Sequence, residues 1–232
     1  MQNIKRVSLD LVAFLKTPFI PIKKKIKASS LIFLFGIAFL IILPFAFIDK
    51  IPFLVRFFNI KEDIFLADFK ENKTLFFCMV VILGPVLEEC IFRLFLNRLA
   101  YIRALMCFTI GFLFYLLSGY SNPIFWMVFI ILAFLVTASV VDLPYVKAGI
   151  KQIRQRHFKE VFYLSAIMFG ISHITNYSIF GYKALLAVVL VIPQVIMGVL
   201  FGYLRLRYGL VIAIVAHVIN NLLSFLMYLV IY

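Results

Sequence analysis

Charge is what this sequence has least of: only 14% of its residues are Asp, Glu, Lys or Arg, and Asp and Glu together number 10. An ordinary soluble domain is about a quarter charged and about half apolar. Here 65% of 232 residues are hydrophobic, too many for the remaining polar residues to coat a globule. A soluble fold is excluded on that count, and the lipid bilayer is left as the solvent. Cysteine is scarce as well. Cys78, Cys90 and Cys107 show no CxxC spacing and lie in apolar stretches, which excludes a disulfide framework and a thiolate zinc site and suits simple packing. Internal repeats, low-complexity tracts and a second domain are all lacking. So is any polar module that could carry a nucleic-acid footprint, and nucleic acid is not an expected partner.

What the chain has is long apolar runs. A span needs about 20 apolar residues to cross a hydrocarbon core of about 30 Å. Candidate spans cover residues 28–48, 74–96, 104–119, 124–143, 161–176, 183–204 and 210–231. The expected fold is all-α, a polytopic membrane bundle of about seven helices, within one of that number. Residues 1–27 form a basic arm and 28–232 a single transmembrane domain. The first run begins near Ala28, too late and too long for a cleaved signal peptide, so it is expected to be a permanent span. Within the arm, Ser8 to Lys16 suits a short amphipathic helix on the membrane surface, with Leu9, Val12, Ala13 and Leu15 on its apolar side and Thr17-Pro18 ending it.

The net charge of +13 then becomes a statement about orientation. With alternating sides, sixteen of the 23 Lys and Arg residues fall on the side of the N-terminus and six on the other, with Arg93 inside a span. That bias places the N-terminus inside. Attraction to anionic lipids can add to it, and membrane lipids are expected partners. The tyrosines near span ends, Tyr163, Tyr177, Tyr182, Tyr203 and Tyr208, suit an aromatic interface belt.

Against so little charge, the polar residues within spans stand out, because each charged side chain at mid-span costs about 2.5–3.5 kcal/mol on insertion scales. The second span reads Gly84-Pro85-Val86-Leu87-Glu88-Glu89-Cys90-Ile91-Phe92-Arg93. Glu89 and Arg93 are four apart and can pair on one face, while Glu88 points about 100° away without a local cation. One carboxylate is thereby neutralised and the other left free to act as a general base. Gly84-Pro85 upstream loosens the helix and admits close neighbours. Two of the three histidines are also intramembrane: His173, one turn after Phe169, and His217, one turn before Asn221. Asn220 could orient His217 in place of Asn221. His157 sits in a basic run and suits a solvated surface. Counting about 1.5 Å per residue from each span's start places Glu88, His173, His217 and Asn221 between the midplane region and the inner face, where they could share a cavity.

Glu88-Glu89-xxx-Arg93, Phe169-xxx-His173 and His217-xxx-Asn221, in that order on separate spans, resemble the CPBP family of type II CAAX prenyl endopeptidases and bacterial bacteriocin-processing or immunity proteins, also called Abi. Gly198-xxx-Gly202 and Tyr208-Gly209-Leu210 are similar to that family's final hairpin, and the resemblance covers about residues 74–225. It implies an intramembrane endopeptidase in which Glu88 and His173 activate a water and His217 and Asn221 stabilise the oxyanion, with Glu89, Arg93 and Phe169 in support. The implied substrate is a peptide or membrane protein, which could carry a lipid, cleaved near the cytoplasmic side. The implied location is a bacterial cytoplasmic membrane. No cofactor is expected. Glu88, His173 and His217 could hold zinc, but HExxH is absent and Asn is a poor zinc ligand, so metal-independent glutamate catalysis is favoured. The family's first two motifs usually lie on neighbouring helices, whereas 85 positions separate Glu88 from His173 here. An inserted hairpin at 101–145 accounts for the interval and preserves the orientation of the later spans.

Other function classes compete. A proton-coupled transporter could use the buried Glu and His as a relay, although inverted repeats and further intramembrane charges are lacking. An immunity or scaffold protein of the same fold would bind without hydrolysis, and its site residues would be free to drift, whereas all the matched ones are intact here. Nucleophilic catalysis by Cys90 ranks last, because no base stands at helical spacing from it.

Overall fold

The computed structural model describes residues 2–19, 25–42, 51–58, 70–97, 111, 143–177, 179, 183 and 186–231. Every regular element among the described residues is helical. In chain order these are α1 (Gln2–Lys16), α2 (Ala28–Ile42), α3 (Pro52–Phe58), α4 (Lys73–Phe76), a π-helical stretch (Phe77–Leu83), α5 (Gly84–Asn97), α6 (Pro144–Arg156), α7 (Phe158–Ser172), 3-10 turns at His173–Tyr177 and Ala187–Val191, α8 (Ile192–Tyr208) and α9 (Leu210–Ile231). Two continuous helical stretches, Lys73–Arg93 and Ala187–Tyr208, are long and apolar enough to cross a membrane. The inserted hairpin expected at 101–145, with the third and fourth candidate spans, lies outside the described residues except at Gly111 and from Leu143 onward.

Helices α7 and α8 form the tightest crossing, and glycine makes it possible. A Cβ on Gly170 would lie 2.9 Å from the backbone nitrogen of Val195, and one on Gly198 would lie 2.9 Å from the carbonyl oxygen of Ala166. The Gly198-xxx-Gly202 spacing therefore lets two backbones approach at a distance no larger residue permits. Helix α5 is tied to α7 by the buried Ser165 hydroxyl, which donates to the carbonyl of Phe92 at 2.5 Å. Helix α9 returns antiparallel after Gly209, whose φ of 107° is the left-handed conformation that ends α8.

Helix α8 runs to Tyr208, four residues past the end expected from sequence. Arg205 and Arg207 look like loop cations in the sequence, yet both are buried in the last helical turn. Arg207 pairs with Asp10 of α1, which removes the reason for the helix to stop early.

The N-terminal arm is helical from Gln2, not only from Ser8. Its inward face carries Val7, Leu11, Phe14 and Leu15 against the main core, while Leu9, Val12 and Ala13 are exposed. The sequence assigns one apolar side to this helix; it has two, and the more aromatic one docks on protein. Phe14 packs edge-on against Phe162 and Tyr203. Two of the tyrosines expected in an interface belt, Tyr163 and Tyr203, serve the same docking, while Tyr177 donates to the Leu190 carbonyl and Tyr182 lies outside the described residues. Tyr163 donates to the Leu15 carbonyl at 2.5 Å, and the fully buried Tyr203 donates to Asp10 at 2.8 Å.

Gly198→Leu is expected to force α7 from α8 and to destabilise the fold by about 1–3 kcal/mol, the usual cost of overpacking. Thermal unfolding in detergent measures this, with Gly149→Leu, at a position with open space around its Cβ, as the unchanged comparison.

Candidate active site

The site begins with a helix irregularity. Gly84 donates its N–H to Met79, a π-type bond to the fifth residue back, and a Cβ at Gly84 would sit 3.0 Å from that same oxygen. The next bond in this register would run from residue 85 to Val80, but residue 85 is proline and has no N–H. The Val80 carbonyl is thus left without a local donor. Asn221 on α9 supplies one, its Nδ2 lying 2.9 Å from the Val80 oxygen. Asn220 in turn donates to Asn221 Oδ1 at 3.2 Å and so steadies the amide. Neither asparagine orients His217, contrary to the expectation from spacing.

One turn after Pro85 come the carboxylates. Glu89 is fully buried and accepts from Arg93 Nη1 at 2.6 Å. The same guanidinium reaches the Gly198 carbonyl at 3.4 Å and lies 4.2 Å from the centroid of the Phe169 ring. Four helices therefore meet at this pair, with α9 contributing His217. The imidazole of His217 lies between the two glutamates: Nδ1 is 3.3 Å from Glu89 Oε1, and Nε2 is 3.5 Å from Glu88 Oε2. Glu88 does point away from Arg93, as its position on the helix requires, but it points toward a histidine and not into empty space. Its side chain remains 28% exposed, and its inner oxygen, Oε2, accepts no hydrogen bond among the described residues. Glu88 can thus reach a substrate, whereas Glu89 cannot.

Phe169 connects the remaining members. Its ring meets His173 with centroids 4.9 Å apart, His217 at 5.6 Å, and Phe92 at 5.7 Å. Phe201 stacks on His217 at 4.3 Å and 22°. The sequence reading missed Phe201. Its signal was available, since Phe201 lies within the Gly198-xxx-Gly202 stretch whose close approach sets what α8 presents here. His173 closes α7 and makes no hydrogen bond to the carboxylates. Its Nδ1 lies 2.9 Å from the Phe169 carbonyl, which also accepts from Ser172 Oγ at 2.7 Å. A carbonyl only accepts, so Nδ1 carries the hydrogen, and in the neutral ring Nε2 is the nitrogen with the lone pair. Among the described residues no three His, Cys, Asp or Glu side chains converge as a metal-ligand group. Glu88, His173 and His217 as placed do not fit zinc, and the chemistry proposed for them runs through no metal. His157 lies on the surface beside Glu160, 60% exposed.

The second and third motifs also carry a family signature. Residues 148–223 match the type II CAAX prenyl endopeptidase Rce1-like family. The Rce1-like segment covers about a third of the chain and includes His173, His217 and Asn221, but it stops short of Glu88, Glu89 and Arg93. Folding brings that first motif against the Rce1-like segment. The match points to a membrane-integral endopeptidase. No curated protein and no solved structure matches the chain.

The two glutamates are expected to respond differently to substitution. Glu89→Leu leaves a buried guanidinium unpaired and should cost about 3–5 kcal/mol, whereas Glu88→Gln should leave stability near wild type. Unfolding midpoints in detergent distinguish them. Asn221→Ala should cost about 1–3 kcal/mol through the orphaned Val80 carbonyl. In a Pro85→Ala background, which restores a backbone donor, that cost should shrink by about 1 kcal/mol; a double-mutant cycle reads the difference.

Proposed function

We propose that this protein is an intramembrane endopeptidase that hydrolyses a peptide bond with a water activated by Glu88 and His173. The observation that carries the reading is the division of labour between adjacent carboxylates. Glu89 is fully buried and locked to Arg93 at 2.6 Å, while Glu88, beside His217, keeps a side chain that is 28% exposed; each has one oxygen without a hydrogen-bond donor among the described residues. A carboxylate with an unfilled lone pair beside imidazole suits a general base, and the tautomer of His173 leaves a second acceptor, Nε2.

Carboxylates face both nitrogens of His217, so the imidazole is held from either side next to Glu88. In this reading the attacking water forms a bond to the peptide carbonyl carbon and gives its proton to Glu88. The oxyanion gathers the Nε2–H of His217 and the second N–H of Asn221, whose first N–H stays on Val80. Collapse breaks the C–N bond, and Glu88 returns the proton to the leaving amine.

The Rce1-like match supports the reaction class, and a membrane-held peptide, with or without a lipid, is the substrate class that accords with it. The surrounding architecture in this proposal is the seven-span bundle with its N-terminus inside, cleaving toward the cytoplasmic face.

Purified protein in proteoliposomes, given a panel of prenylated and unprenylated C-terminal peptides, is expected to release fragments detectable by mass spectrometry. Glu88→Gln and His173→Ala should each lower turnover by at least about a hundredfold with the fold intact, and a chelator should not. Undiminished cleavage by both variants would refute the assignment.

A further inference from the structure

Away from the catalytic cluster, the docking of α1 creates a second polar feature. A cleft of about 280 Å³ opens between α1 and the start of α2, lined by Arg6, Asp10, Lys25, Lys27, Ser30 and Tyr208 among others. Asp10 is its only acid, and that carboxylate is already engaged by Arg207 and by the Tyr203 hydroxyl. Arg6, Lys25 and Lys27 form no ion pair among the described residues. Three cations from two chain segments thus face one cavity, and no anion among the described residues is left to offset them. Ser30 is 2% exposed, and its hydroxyl makes no hydrogen bond among the described residues. The cleft therefore offers positive charge together with an unused hydroxyl.

The surroundings favour one kind of anion. The outward side chains of the same segments include apolar ones, with Leu9 61% exposed, Val12 50%, Phe19 50% and, on α2, Ile32 71%, interspersed with the exposed Lys5 and Lys16. A cationic cavity adjoining an exposed apolar surface matches the level where lipid headgroups meet acyl chains. We propose that this cleft binds the phosphate of an anionic phospholipid, with Arg6, Lys25 and Lys27 holding the phosphate and Ser30 donating to one of its oxygens. The acyl chains would run along the exposed faces of α1 and α2. The bound lipid would tie α1 to α2 independently of the Asp10–Arg207 contact. This site does not depend on the proposed hydrolysis.

Native mass spectrometry of the full chain in detergent, with phosphatidylglycerol or phosphatidylcholine added, tests the proposal. Phosphatidylglycerol is expected to be retained and phosphatidylcholine not. The variant R6Q/K25Q/K27Q should retain at least about tenfold less phosphatidylglycerol. K147Q/K151Q/R156Q, which removes the same charge from exposed positions of α6, should stay within about twofold of wild type. Equal loss in both variants, or full retention in the cleft variant, would overturn the site. Inorganic phosphate or glycerol phosphate competing at the lipid's own concentration would overturn the lipid assignment in favour of a soluble phosphate ligand. Should the triple variant not fold, Lys27→Gln alone is expected to lower retention by about threefold, and Lys27→Arg to restore it.

Discussion

A carboxylate and a guanidinium removed from water on one apolar helix set the terms for everything packed around them. Burial of Glu89 and Arg93 carries a desolvation cost that their mutual attraction offsets more fully as further donors and acceptors are engaged, although Glu89 Oε2 has no donor among the described residues. That requirement recruits a carbonyl from α8, an aromatic face from α7 and an imidazole from α9. Between lipid-embedded helices apolar surface supplies little drive toward association, since acyl chains are as apolar as leucine. Polar groups with unmet needs are what make one arrangement of the helices better than others. The pair at Glu89 and Arg93 is thus both the anchor of the bundle and the scaffold on which the free carboxylate of Glu88 is held.

Two backbone defects do comparable work. Proline at position 85 removes a donor, and the resulting orphan carbonyl at Val80 fixes Asn221 and with it the rotation of α9. Glycine at 170, 198 and 202 removes side-chain volume, and α8 comes close enough to α7 for the Gly198 carbonyl to reach Arg93 and for Phe201 to meet Phe169. Both defects are local losses, of a hydrogen or of a Cβ, that become gains once a second helix fills the vacancy. Asn221 illustrates the economy of this arrangement. Its amide has two hydrogens, and with one bound to the Val80 carbonyl the other remains for the oxyanion role proposed for it.

Much of the site was legible because charge is scarce here. Glu88, Glu89 and Arg93 were conspicuous against an apolar run, and helical spacing alone assigned Arg93 to Glu89 and left Glu88 apart. The placing of His217 between the two glutamates was not legible, since it depends on the rotation of α9 about its own axis. The role of Asn221 escaped for a related reason: spacing suggested that it serves His217, its neighbour on α9, whereas its partner is a carbonyl on another helix. Helix α1 was legible as an amphipathic element, but its docking face was not. Val7, Leu11 and Phe14 are as apolar as Leu9 and Val12, and it is partners on other helices, Phe162, Tyr163, Tyr203 and Arg207, that decide which side turns inward.

The sequence by itself determined the solvent, the helical class, the Glu89–Arg93 pairing and the residues able to carry chemistry. Each of these comes from composition or from the fixed geometry of a single helix. Tertiary structure decided which of those residues meet. It set His217 against both carboxylates, joined His173 to them only through the ring of Phe169, and turned Asn221 toward Val80. Intrahelical spacing fixes angles about one axis; relations between axes come from glycine contacts, missing backbone donors and buried charge, none of which is resolved until the helices are packed.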